Sequence, residues 1–149
     1  MNISNQGLNL IKLFEGYRDK AYKCAAGKWT CGYGHTRGVT AASRCNQNIA
    51  TQWLIEDCAA AENEIATLEL TQNQFDALVS LIFNIGVGNW RKSTLRHCIA
   101  QKADFETIKF QWLRWRWVTT DNGREPLLLK RRECEIQLYA ADARATKKP

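Results

Sequence analysis

The chain changes its rhythm once. Near the N-terminus, Leu8, Ile11 and then Phe14 or Glu15 recur at helical spacing, which predicts a short helix over about Asn5–Phe14. Ser4 or Asn5 can cap it, and Gly16 can end it in a left-handed turn. "KAYK" and "KWTCGY" then alternate like two strands joined by "CAAG", with Gly27 supplying the turn. In the second strand Trp29, Cys31 and Tyr33 point one way, and Thr30 and Gly32 the other. "GHTRGVTAASRCN" reads as a loop with room for short strands.

From about Asn48 the period becomes helical. "IATQWLIEDCAAAENEIATL" places Ile49, Trp53, Ile55, Ala59 and Ile65 in loose register. "TQNQFDALVSLIFNIG" opens with a capping box, Thr71 with Gln74, carries a stripe of Phe75, Leu78, Ile82 and Phe83, and stops at Gly86. Ser93 caps a shorter helix, "STLRHCIAQ", and Asp104 starts "DFETIKFQWLRWRWV". "DNG" breaks the pattern at Asp121–Gly123, and Pro126 suits the first turn of a last helix, "PLLLKRRECEIQLYAADA". The tail "ATKKP" reads as frayed. One helix and a small sheet followed by several helices make an α+β arrangement with the strands gathered near the N-terminus.

Composition narrows the function classes. The longest apolar runs, such as Leu78–Phe83, fall far short of the roughly 18 residues of a membrane span. The N-terminus lacks the basic, apolar and small-residue regions of a secretory signal. The net charge of +6 favours a polyanionic partner such as nucleic acid, an anionic membrane face or cell-wall polymer, against the plainer reading of a basic surface kept for solubility. No nucleic-acid-binding motif accompanies it. The six cysteines include no Cys-x-x-Cys pair, and His35 and His97 lack clustered partners, so no metal site is expected. Disulfides would fit work outside the cytosol, while Cys58, Cys98 and Cys134 fall in helical segments where a thiol packs as a small apolar group.

Chemistry gathers in the first third. Glu15 is held at a helix C-terminus, whose negative dipole end disfavours a second negative charge, a setting that suits a proton donor. Thr30 on the hairpin can hold a water, and His35 can anchor the loop or bond near the acid.

"LIKLFEG" with "YRDKAYKCAAGKWTCGYGHT" resembles the signature of phage-type lysozymes, the endolysins of glycoside hydrolase family 24. Glu15 is followed by eight residues, Cys24, five residues and Thr30, then Gly32, Gly34 and His35. "FNIGVGNW" and "LLLKRRECEIQLY", the latter like the family's Arg-Arg-x-x-Glu helix, extend the likeness over nearly the whole chain. The resemblance implies one lysozyme-like domain over residues 1–149. Its sheet lobe would span about 16–48 and its helical lobe about 49–149 plus the first helix, with a cleft between. It also implies hydrolysis of the β-1,4 bond between N-acetylmuramic acid and N-acetylglucosamine in peptidoglycan. Glu15 is then the proton donor, Cys24 stands in the place of the second catalytic residue, and Thr30 positions water or substrate. His35, Tyr33 and Gly32 support the site, and Arg131, Arg132 and Glu133 are structural. No cofactor is implied.

The expected setting is a monomer made in a host cytoplasm and released by a holin to reach periplasmic peptidoglycan. A weak or inactive wall- or polyanion-binding relative and a secreted antibacterial muramidase are the competing readings. Cys24 departs from the usual carboxylate. A thiol must ionise to act, which Lys23 and Lys28 could favour, and it could also be silenced by a disulfide with Cys31 or Cys45. The usual glycine pair before the last helix is only "DNG", and Trp112, Trp115 and Trp117 do not share one helical face, so the run offers either sugar stacking or core packing.

Overall fold

The computed structural model describes residues 1–142; the "ATKKP" tail, expected to be frayed, lies outside them. Helix α1 (Asn5–Glu15) starts at Ser4, whose hydroxyl accepts from the Gly7 N–H, and stops at Gly16, where φ is +73° and ψ 162°. That conformation is extended and glycine-favouring rather than the left-handed helical turn expected. Ser4 also hydrogen-bonds Asp76, a buried carboxylate on α4 (Gln72–Ile85), so the cap ties the first helix to the centre of the fold.

Strands β1 (Arg18–Lys23) and β2 (Trp29–Gly32) pair antiparallel, with Tyr22 opposite Thr30 and Lys23 opposite Trp29. Gly27, at φ +79°, turns the chain between them and donates to the Cys24 carbonyl at 2.8 Å. The loop after β2 contributes two short bridges, Lys20 with Arg44 and Cys31 with His35. Thr30, Cys31, Gly32 and Tyr33 are all buried, so the second strand has no solvent face, because α2 (Gln47–Asp57) packs against it.

The long helix expected after Asn48 is two, α2 and α3 (Ala59–Glu64), jointed at Cys58. Its inward residues are Ala50, Leu54, Cys58, Ala61 and Ile65, whereas Ile49 and Ile55 are exposed. The small residues face in because the hairpin lies against them: a Cβ on Gly32 would stand 3.0 Å from Ala50 Cβ. Helix α4 has the expected capping box but is buried on every side from Phe75 to Ile82, with α1, α3, α5 (Val87–Lys92) and α8 (Leu129–Tyr139) around it. Between α5 and α8 come α6 (Thr94–Ala100) and α7 (Phe105–Leu113), capped by Ser93 and Asp104 as read.

The C-terminal third corrects three expectations. After α7 the chain makes a 3-10 turn, Arg114–Arg116, then a second hairpin, β3 (Val118–Thr120) and β4 (Gly123–Glu125), turning at the "DNG" read only as a breaker. Pro126 precedes the last helix by a separate turn, its carbonyl accepting from Leu129 N–H, so it does not occupy the first helical turn. The tryptophan run divides by environment. Trp112 is wholly buried and Trp115 packs on the core, whereas Trp117 is exposed between the Arg116 and Arg124 guanidiniums, 4.7 and 4.8 Å from its ring centre. The sheet lobe and the mainly helical remainder reproduce the two-lobed expectation. Among the described residues no helix is long and apolar enough to cross a membrane.

Candidate active site

Glu15 ends α1 at the edge of the hairpin lobe, its side chain 23% exposed. Arg131 of α8, 116 positions away in sequence, donates from Nη1 to Glu15 Oε1 at 2.9 Å. The guanidinium is 3% exposed and is itself held from behind. Nη2 donates to the Ser80 carbonyl at 3.3 Å, and Nε lies 3.4 Å from Glu135 Oε2. Glu135 is fully buried and accepts from Ser80 Oγ at 2.5 Å, Trp112 Nε1 at 3.1 Å and Arg132 Nη2 at 3.2 Å. Arg132 Nε sits 2.8 Å from Glu135 Oε1 but not in hydrogen-bonding alignment. Burial pulls the Arg132 guanidinium down to about 10, still far above neutrality, so it keeps its charge beside the buried Glu135 carboxylate.

This network changes two expectations. Arg131, read as structural, reaches the candidate acid directly. Glu133, matched to the C-terminal motif, is exposed, and Glu135 is the residue that closes the network. Nothing in the sequence points from Arg131 to Glu15. The pairing exists because α4 brings α1 and α8 to the same place. The field at Glu15 therefore combines the negative end of α1 with the positive Arg131 guanidinium.

The other oxygen of Glu15 faces the hairpin lobe. A Cβ on Gly34 would stand 3.2 Å from Glu15 Oε2, and Gly34 has φ +81°. The Cys31–His35 turn that carries Gly34 is pinned twice. Cys31 and His35 exchange backbone hydrogen bonds at 2.9 and 3.0 Å, and the buried His35 bonds Asp57 Oδ2 through Nδ1 at 2.8 Å. His35 also stacks on Trp53 at 4.6 Å between ring centres. Gly32 fits against α2, and Tyr33 is buried, with the Tyr17 ring 5.5 Å away.

Cys24 and Thr30 form a second group at the hairpin's turn. A hydrogen bond from the Lys28 backbone N–H, then the Thr30 hydroxyl and the Ala26 backbone, hold the Cys24 thiol below the ordinary thiol range. The sequence credited the lysine side chains instead. Lys23 Nζ lies 5.3 Å from the centre of the Trp29 ring, and the contribution of Lys28 comes from its backbone. The Thr30 hydroxyl also lies 3.0 Å from the Lys28 carbonyl. Its one hydrogen serves that carbonyl beside a neutral thiol and can turn to the sulfur beside a thiolate.

A cleft of about 250 Å³ lies beside Gly34, lined also by Thr36, Asp57, Phe83 and Gly86, where the hairpin-side loop meets α4. A larger cavity of about 330 Å³ near Leu68, Ile99, Phe105 and Tyr139 is mostly apolar. Its charged rim, Glu69 and Lys102, is an exposed ion pair at 3.3 Å, which gives it no catalytic grouping.

Comparison with known proteins agrees with this arrangement. Residues 12–135 match the phage lysozyme family, "Phage lysozyme". The chain is 41% identical over 144 residues to the endolysin of Acyrthosiphon pisum secondary endosymbiont phage 1, covering 93% of this chain and 98% of that protein. It is 35% identical over 162 residues to the endolysin of Bacillus phage B103, where it spans 60% of the longer relative. Among solved structures, the muramidase domain of SpmX from Asticaccaulis excentricus superposes with a TM-score of 0.84 at 31% identity, covering 93% of this chain and 97% of that one. A P22 lysozyme mutant superposes with a TM-score of 0.80 at 34% identity, covering 93% and 98%. With its motif spacing, two-lobed fold and sequence all in agreement, the chain belongs to the phage lysozyme family and is an enzyme of the glycoside hydrolase class.

Proposed function

We propose that this protein is an endolysin that hydrolyses the β-1,4 bond between N-acetylmuramic acid and N-acetylglucosamine in peptidoglycan, and so lyses a host cell. The observation that carries the reading is the Glu15 carboxyl, fixed through Oε1 by Arg131 while Oε2 faces Gly34 and the hairpin lobe. Glycosidic cleavage needs a proton on the leaving oxygen and a second group to activate water or attack the sugar carbon. Glu15 donates the proton, which rides on Oε2, the oxygen that Arg131 does not hold. Cys24 fills the second role as a thiolate, in keeping with the hydrogen bonds that favour its ionised form. Thr30 positions water or substrate, and its hydroxyl follows the charge on Cys24. His35 anchors the turn carrying Gly34, while Gly32 and Tyr33 support the hairpin.

On this reading residues 1–149 work as one domain, a monomer made in the host cytoplasm and passed through a holin pore to the periplasmic wall. The endolysin names of its relatives support the lytic role.

The test is release of reducing ends from purified Gram-negative peptidoglycan. Wild type releases them. Glu15→Gln, which keeps an acceptor for Arg131 but has no proton of the right acidity, does not. Cys24→Ser is nearly inactive and Cys24→Asp is active. Full activity in Cys24→Ser removes the thiol from the mechanism. No release by wild type, with or without reductant, turns the reading to a wall-binding relative without catalysis.

A further inference from the structure

Cys31 and Cys45 meet away from the Cys24 turn. Their sulfurs are 3.5 Å apart, inside van der Waals contact for two thiols and short of the roughly 2.05 Å of a disulfide. Both lean on the same stretch of β1. Cys31 Sγ lies 3.8 and 3.7 Å from the Arg18 and Asp19 carbonyls, and Cys45 Sγ lies 3.6 Å from that of Arg18. The backbone around them is already fixed. Cys45 donates to the Asp19 carbonyl at 2.9 Å, its own carbonyl accepts from the Tyr17 hydroxyl at 3.3 Å, and Cys31 is bound on both sides of its peptide to His35. The 14-residue separation spans a loop with only isolated bridges, including the turn that presents Gly34 to Glu15. All six cysteines are free in the structure. Cys31 is fully buried, whereas Cys45 is half-buried and can be reached from solvent.

We propose that Cys31 and Cys45 are a dithiol site that closes into a disulfide when the protein meets an oxidising disulfide, stapling the sheet lobe across the loop beside the active site. The exchange balances without a further reagent. The Cys45 thiolate attacks one sulfur of the external disulfide and expels a thiolate. The Cys31 thiolate then attacks Cys45 Sγ and expels the second. The two protons lost by the cysteines go to the two released thiols, so the protein pair is oxidised and the external disulfide reduced. Burial and the neighbouring Cys31 thiol push the Cys45 thiol up to about 11, so the thiolate that starts the exchange is scarce and closure calls for prolonged exposure to the oxidant. The site is independent of the role given to Cys24, whose sulfur is bound at the other end of the hairpin. Pairing Cys31 with Cys45 also removes the two nearest thiols in sequence that could have silenced it.

The experiment is disulfide mapping of the folded full-length protein after prolonged incubation with oxidised glutathione and, separately, with diamide. Free thiols are alkylated under denaturing conditions, and the digest is analysed without reduction. The expected result is one cross-linked peptide pair, Cys31 to Cys45, lighter by two hydrogens, with Cys24 alkylated or carrying glutathione. Oxidation should raise the wild-type Tm by roughly 5–10 °C and leave that of Cys45→Ser unchanged. Recovery of both cysteines alkylated after either oxidant, or of either one joined to another cysteine, overturns the proposal. A mapped bond without a rise in Tm overturns the stapling. Since no activity is read, failure here leaves the proposed hydrolysis standing, and failure of hydrolysis leaves this result standing.

Discussion

Replacing Gly34 by alanine puts a methyl group 3.2 Å from Glu15 Oε2. The carboxylate would have to retreat by a few tenths of an ångström. Its other oxygen is held at 2.9 Å by a guanidinium that is 3% exposed and fastened to Ser80 and Glu135, so there is little room to retreat. The substitution also carries a backbone cost, because φ is +81°, which for a residue with a Cβ is roughly 1–2 kcal/mol. Gly38 separates the two effects. Its φ is +70°, but no atom of the described residues lies within 4 Å of where a Cβ would stand, so Gly38→Ala carries the strain without touching Glu15. Gly38→Ala should lose ~1–2 kcal/mol in urea melts, and Gly34→Ala at least as much. Release of reducing ends should fall about 10- to 100-fold in Gly34→Ala, the scale for a catalytic group displaced by a fraction of an ångström to an ångström, and less than about threefold in Gly38→Ala. Equal activities in the two variants would refute the argument that Gly34 is there to clear room for the acid.

Other consequences are as specific. Asp57→Asn removes the charge that holds buried His35 at 2.8 Å, and should cost roughly 1–3 kcal/mol in a urea melt, with a smaller loss of activity through the turn carrying Gly34. Trp112→Phe leaves Glu135 Oε1 without its indole donor, whereas Trp90→Phe deletes a buried indole N–H that has no partner among the described residues. Both lose similar volume, so Trp112→Phe should be the more destabilising by about 1–2 kcal/mol. The pH dependence of iodoacetamide alkylation at Cys24, followed by mass spectrometry, should have its midpoint below that of a free thiol. Its folded pKa is lowered, so the thiolate is present at lower pH than in the denatured chain, and a midpoint at the ordinary value would deny the effect of the Lys28, Thr30 and Ala26 hydrogen bonds.

What the sequence by itself determined was local. The caps at Ser4, Thr71, Ser93 and Asp104 and the glycine turn at Gly27 all depend on residues a few positions apart, and they stand as read. The misread segments are those where a distant surface decides. Ala50 and Ala61 face inward, and Ile49 and Ile55 outward, because packing against the hairpin and core selects small residues that a hydrophobic pattern does not mark. The 3-10 turn at Arg114–Arg116 cuts short a helical reading because "WLRWRW" has no clean period of either kind, and the second hairpin forms where only a breaker was read. Arg131 beside Glu15, Glu135 between two arginines and the Cys31–Cys45 contact were decided only by the tertiary structure. A charge or a thiol carries no mark in sequence of the partner it will meet, and that partner is set by which helices and strands the core brings together.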